Sequence, residues 1–321
     1  MTASVIIRTY NEEQRLLQCL QAVFSQQTTF PFEVIVVDSE STDKTLSIAS
    51  RFPVKILHIP KKEFTYGKAL NIGGEAAEGQ YLVFLSGDAV PENERWLGNL
   101  IRNFDVPDVA GVYGKQIPFP DCDPFEKRLL TEGWPRERQI QTVDPFFSVA
   151  NAATRKEIWE TTRFNETIAE AEEQEWAMKV QKLKRSIIYE PEAAVTHSHN
   201  ADNIQACKKF YKEIHGLYVV HGEAIFSHFL LQVMHTPKRD ISYIRAHGCG
   251  TVWILRSVVR NGLFSLALCY AVAGTPHGRA WLFSRLWRLI NPMRIIYKLS
   301  FALKQHSPAY AALVASVKAR F

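Results

Sequence analysis

The feature that most constrains the fold is the run Val34-Ile35-Val36-Val37, which ends abruptly in Asp38. It is apolar at every position rather than every second one, and such a strand is buried on both faces, inside a sheet covered by helices. Val5–Thr9 and Tyr81–Leu85 read the same way, and 54–59 reads as a further strand. Helical spacing fills the gaps at 12–24, 42–49, 67–77 and 93–104; in the first of these Leu16, Leu17, Leu20 and Val23 share a face. The alternation predicts an α/β fold built on a mostly parallel, doubly wound sheet. An acidic helix at 170–182, a strand at 186–189 and a helix at 203–221 continue the pattern.

Ligands of such sheets bind beyond the carboxyl ends of the strands. Arg8-Thr9-Tyr10-Asn11, Asp38-Ser39 and Ser86-Gly87-Asp88 fall there. Asp38 can accept from a nucleobase N–H or a ribose hydroxyl, or it can serve the turn that Ser41 or Thr42 caps. Gly87 lets a phosphate or a metal approach Asp88, which by itself is equally a turn residue. Glu170, Glu172, Glu173 and Glu175 crowd the start of one helix, either favoured there by the helix dipole or holding a general base among them. His197-Ser198-His199 offers imidazole to a metal, although a chain with ten histidines carries such pairs by chance.

Together these segments resemble the family-2 glycosyltransferases of the GT-A fold over residues 3–200. The resemblance rests on Ser4 to Glu12, on Val36-Val37-Asp38-Ser39 with Ser41 to Thr45, on Gly67-Lys68-Ala69-Leu70-Asn71, on Phe84 to Pro91, and on Glu172-Glu173 before Trp176. Asp88-Ala89-Val90-Pro91 is similar to the bacterial rhamnosyltransferase-like members of polysaccharide assembly. The resemblance implies a Rossmann-like GT-A domain that transfers a sugar, with inversion, from a nucleotide-diphosphate donor to a hydroxyl of a saccharide or lipid-linked acceptor. Thr9, Asn11, Glu12, Asp38, Ser39, Lys68, Ser86, Gly87 and Asp88 would line the donor site. Asp88, with His197, would hold Mg²⁺ or Mn²⁺. Glu173 would be the base, with Glu172 and Glu170 as rivals. Trp134 and Asn151 are expected on the acceptor side. Three departures stand out: Ser86 replaces the first aspartate of the DxD motif, Glu173 replaces an aspartate, and Arg8 replaces a proline. The first two also fit an inactive scaffold. A nucleotidyltransferase would open with a glycine-rich loop, and 8–13 has no glycine.

Charge divides the chain. The net charge is +5, yet 241–321 holds eleven Lys and Arg and no Asp or Glu, leaving −6 on residues 1–240. Basic residues interleaved with Trp, Phe, Leu and Ile predict amphipathic helices on an anionic membrane surface, with no recognised nucleic-acid module around them. The expected division is 1–115 for the donor half, 116–236 for the acceptor half, and 237–321 for a basic helical membrane-associating extension. The longest uncharged stretch there, 261–277, is shorter than the roughly 20 residues of a spanning helix. Five scattered cysteines without a CxxC pair argue against disulfides and zinc. No secretory leader is expected from Met1 to Ile7, so the expected location is peripheral on the cytoplasmic side of the cell membrane.

Overall fold

The computed structural model describes residues 2–275. In chain order, the first elements are β1 (Ala3–Thr9), α1 (Leu16–Phe24), β2 (Phe32–Asp38), α2 (Thr45–Ala49), β3 (Lys55–His58), α3 (Tyr66–Ala76) and β4 (Tyr81–Ser86). Next come β5 (Val90–Pro91), α4 (Trp96–Ile101), β6 (Val109–Ile117), α5 (Pro124–Glu132), β7 (Gln139–Gln141) and β8 (Asn151–Arg155). The remaining elements are α6 (Lys156–Thr161), α7 (Glu172–Lys182), β9 (Ser186–Thr196), α8 (Asn203–His221), α9 (Ala224–Ala246) and α10 (Thr251–Ala273).

These form two compact units, residues 2–121 with 134–198, and residues 122–133 with 199–275. The boundary expected at 115/116 falls inside β6, and the one at 236/237 falls inside α9, which runs through Pro237. The tail residues Arg285, Arg288, Arg294 and Lys298 lie outside the described residues.

The first unit is built on one sheet of order β3-β2-β1-β4-β8-β6-β9-β5, with β7 paired to β9. The strands β3, β2, β1 and β4 are parallel, as the apolar runs predict. β8 then enters antiparallel between β4 and β6, and beyond it β6 and β9 are again parallel. The apolar runs supply both faces at once, because successive side chains point to opposite sides. Val5, Ile7, Val34 and Val36 pack with α1 and α4 on one face, against Leu16, Leu20 and Trp96. Ile6, Ile35 and Val37 pack on the other, with Leu70, Trp159 and Trp176 from α3, α6 and α7. β9 continues to Thr196, past the expected end at Tyr189, which carries the chain up to His197 beside β6.

The second unit is a helical assembly of α5, α8, α9 and α10. Its interior holds a buried ion pair, Arg128 Nε to Asp240 Oδ1 at 2.8 Å. Ser257 Oγ donates to the other oxygen of Asp240 at 3.0 Å, and Asn261 Nδ2 donates to it at 3.3 Å. All five cysteines are free thiols.

β6 and β9 meet most tightly at Gly114. A Cβ built there would stand 1.8 Å from the carbonyl oxygen of Ala193 and 2.4 Å from Asn151 Nδ2. Backbone cannot retreat as a flexible side chain would, so Gly114→Ala is expected to cost about 3 kcal/mol or more of stability. Urea unfolding of the purified variant checks this.

Candidate active site

The carboxyl ends of β2, β1 and β4 stop at a common level, with Thr9 opposite Asp38 and Arg8 opposite Ser86. Asp38 is fully buried and its carboxylate is held by its own chain: Thr9 Oγ1 donates at 3.1 Å, Ser41 Oγ at 2.5 Å and the Ser41 amide at 3.0 Å. Ser39 is buried beside it, its amide donating to the Thr9 carbonyl. Asn11 takes a left-handed backbone (φ 57°), which asparagine tolerates better than most residues. From there it ties two loops together, its amide donating to Ser41 Oγ and its Oδ1 accepting from the Thr42 amide. A shelf of backbone and hydroxyl groups is thus fixed before any ligand arrives.

Gly87 packs into this shelf, for a Cβ there would meet Thr9 Cγ2 at 2.8 Å and the Arg8 carbonyl at 3.0 Å. Asp88 follows and reaches His197, Oδ1 to Nε2 3.3 Å. His197 is set by a relay from β6. Gln116 Nε2 donates to Ser148 Oγ at 2.9 Å, which turns Gln116 Oε1 toward His197 Nδ1 at 2.7 Å. An oxygen acceptor there calls for a proton on Nδ1, so the neutral ring presents the lone pair of Nε2 toward Asp88. Outer partners that fix a tautomer in this way are characteristic of histidines that ligate metals. Carboxylate oxygen and imidazole nitrogen, together with diphosphate oxygens and water, suit Mg²⁺ or Mn²⁺. Glu12 stands beside them: burial, then Asp88, then Asp43 push its carboxyl up to about 8, so near neutrality it mostly holds a proton and the negative charge rests on its neighbours.

The second cluster lies at the start of α7. Ala171, just before it, adopts a left-handed backbone (φ 71°), a strained conformation for a residue with a Cβ. Glu172 is buried, at 2% exposure, whereas Glu173 keeps part of its surface accessible. Burial, then the Glu172 carboxylate, holds Glu173 well above the usual carboxylate range, opposed by α7 amides and by Arg8. Glu172 is raised as well, chiefly by burial and against the pull of Arg8. The Arg8 guanidinium lies 5.1 Å from the Tyr66 ring centroid, and its Nε is buried without a hydrogen-bond partner. Glu172 and Glu173 are therefore a pair of carboxyls disposed to share a proton. Arg8, read in the sequence as a strand-end residue and a departure from the family's proline, supplies the counter-charge of this pair. Gln116 and Ser148 carried no sequence signal linking them to His197.

The other candidates divide. Lys68 lies on α3 and pairs with Glu63 at 2.8 Å. Trp134 is half-buried in an aromatic cluster, 5.9 Å from Tyr189 and 5.8 Å from Phe146 between ring centroids. The acceptor-side expectation for Asn151 is corrected: the residue is fully buried, accepting from Trp96 Nε1 at 2.9 Å and donating to the Ala193 carbonyl at 2.7 Å. It braces β8 against α4 and β9, and no acceptor can reach it.

Fold and site together define a glycosyltransferase of the GT-A type. Residues 4–162 match the family model described as Glycosyl transferase family 2. The O-antigen chain rhamnosyltransferase WbaN of Salmonella anatum is 30% identical over 219 residues, 65% of this chain and 70% of that protein. RfbN of Salmonella typhimurium, also an O-antigen chain rhamnosyltransferase, is 29% identical over 62% of this chain and 67% of its own. Among solved structures, the mannosyltransferase PcManGT from Pyrobaculum calidifontis, in complex with GDP-Man and Mn²⁺, superposes with a TM-score of 0.52. The match is 19% identical and covers 99% of this chain and 85% of that one. The chain belongs to glycosyl transferase family 2.

The part given to Asn151 is open to measurement. Asn151→Ala strands the Trp96 indole N–H and the Ala193 carbonyl in the core, at an expected cost of about 2–4 kcal/mol. Denaturant unfolding, with nucleotide binding followed on the folded fraction, distinguishes this brace from a binding residue, whose loss would leave stability unchanged.

Proposed function

We propose that this glycosyltransferase moves a sugar from a nucleotide-diphosphate donor to a hydroxyl of a saccharide or lipid-linked acceptor during assembly of a cell-surface polysaccharide. The enzyme would work at the cytoplasmic face of the membrane. The observation that carries the reading is the Asp88–His197 pair, keyed by Gln116 and placed beside the Thr9–Asp38 shelf. The two O-antigen rhamnosyltransferases support polysaccharide assembly, and a deoxyhexose as the sugar transferred.

In this reading Thr9, Asp38 and the Asn11–Ser41 loop pair receive the nucleoside, and Gly87, packed on Thr9, carries the chain to Asp88 beside the diphosphate. Asp88 and His197 hold a divalent cation, in keeping with the Mn²⁺ that accompanies GDP-Man in the mannosyltransferase. Such a cation, when bound, offsets the charge that develops on the leaving diphosphate. Glu173 removes the proton of the acceptor hydroxyl as its oxygen bonds to the anomeric carbon and the bond to the diphosphate breaks, which inverts the centre. The Glu172 carboxylate raises the proton affinity of Glu173, and Arg8 opposes that rise.

Calorimetry against UDP, dTDP and GDP, with and without Mn²⁺ or Mg²⁺, tests the donor site. One nucleotide is expected to bind in a metal-dependent way, and Asp88→Ala should abolish that dependence. Gln116→Ala should weaken the metal by about 10- to 100-fold. Binding of none of the three by the folded protein would favour an inactive scaffold instead.

Glu173→Gln is expected to lower kcat by about 10²–10⁴ while donor binding persists, and near-normal turnover would remove Glu173 from this role. The base acts only when ionised, and its folded value is raised. Activity should therefore fall with decreasing pH already above the ordinary glutamate value of about 4.3. Arg8→Gln removes the charge that opposes the rise, so the acid limb of kcat/KM should move to higher pH.

A further inference from the structure

Helix α10 is apolar on its outer face as well as over most of its buried one. Val252, Leu255, Val259, Leu266 and Tyr270 recur on one face at helical spacing, and between 60% and 73% of the surface of Val252, Leu255, Leu266 and Tyr270 is exposed. No exposed position of this helix carries a charge. Its two arginines are half-buried: Arg260 reaches across to Phe125 of α5, and Arg256 lies over Trp253 of α10 itself. Arg256 lies 4.5 Å from the Trp253 ring centroid, and Arg260 lies 4.8 Å and 5.3 Å from those of Phe125 and Phe264. Ser257 and Asn261 are buried on Asp240. Buried polar groups paired with one another and an uncharged apolar outer face suit hydrocarbon better than water.

We propose that the outer face of α10 is seated in one leaflet of an anionic lipid bilayer, with the helix axis along the surface. The proposal rests on the membrane-surface reading above and names the element that makes the contact. Among the described residues α10 alone is long and apolar enough to cross a membrane. Its neighbour decides against crossing. α8 packs on α10 through the Phe210–Phe264 stack, 4.3 Å between centroids, and the Tyr211–Tyr270 contact at 5.8 Å. Yet α8 exposes Lys208, Lys209, Lys212 and Glu213. Those charges stay in water only if α10 lies in the interface rather than through it. Charge selects the lipid: 241–321 holds eleven Lys and Arg and no Asp or Glu, which complements anionic headgroups.

The test floats the full-length protein with vesicles of phosphatidylcholine alone and of phosphatidylcholine with phosphatidylglycerol. The wild type should rise with the anionic vesicles and not with the neutral ones. Leu255→Gln with Leu266→Gln should weaken that partitioning roughly tenfold or more. Melting temperature and monomer mass in lipid-free buffer should be unchanged. A wild type that stays unbound, or a double variant that binds as well as the wild type, overturns the proposal. So does a double variant that melts earlier or changes oligomeric state without lipid, because the face is then covered by the chain's own residues or by a second copy. Nucleotide binding is measured on the same preparations: if it persists while vesicle binding fails, only the lipid proposal falls, and if it fails while vesicle binding persists, only the donor-site reading falls.

Discussion

The site depends on one register. In the parallel set β2-β1-β4, Thr9 stands opposite Asp38 and Arg8 opposite Ser86, so the three strands release their chains at the same level. A slip of one residue would turn Ile6, Ile35 and Val37 out of their layer, because strand side chains alternate with a period of two. The apolar packing on both faces therefore fixes, to the residue, where Asp38 and Asp88 emerge. The placement of these candidate residues is a by-product of filling two cores with runs of mostly β-branched residues.

That coupling explains what could be read in the sequence. Strands buried on both sides announce themselves as unbroken apolar runs, so β1, β2 and β4, and the loop residues that follow them, were legible. α1, α2 and α4 begin later than the helical spacing suggests, at Leu16, Thr45 and Trp96, since the residues before them form turns. β6, β7 and β8 were not foreseen: β8 is only Asn151–Arg155, and its place between β4 and β6 is set by long-range pairing. Asn151 misled for the same reason. A polar residue in a loop-like stretch reads as a binding group, and only the neighbours supplied by α4 and β9 reveal it as a brace. Thr9, Asp38, Asp88 and His197 were named as candidates through a resemblance of motifs, whereas Arg8, Gln116 and Ser148 meet partners distant in sequence.

The two charge clusters are built in contrasting ways. Around Asp88 the chain gathers carboxyl groups, Glu12 and Asp43 among them, close enough that burial and like charge leave Glu12 mostly protonated near neutrality. Around Glu173 it supplies its own cation, Arg8, within a mostly apolar wall that includes Tyr66. The first environment favours a positive ligand. The second tunes a proton without needing one, consistent with separate duties toward leaving group and acceptor.

The placement of α5 has a consequence for how this protein can change over time. The chain leaves the first unit at 121, returns at 134 and leaves again after 198, so the second unit is assembled from two separated segments. Arg128 from the inserted segment is buried on Asp240 from the C-terminal one, and a buried charge stripped of its partner is costly. The helical unit is consequently not a cassette that one recombination breakpoint can add, delete or exchange. Inheritance of the two segments is linked, and substitutions in α5 and α9 are expected to covary.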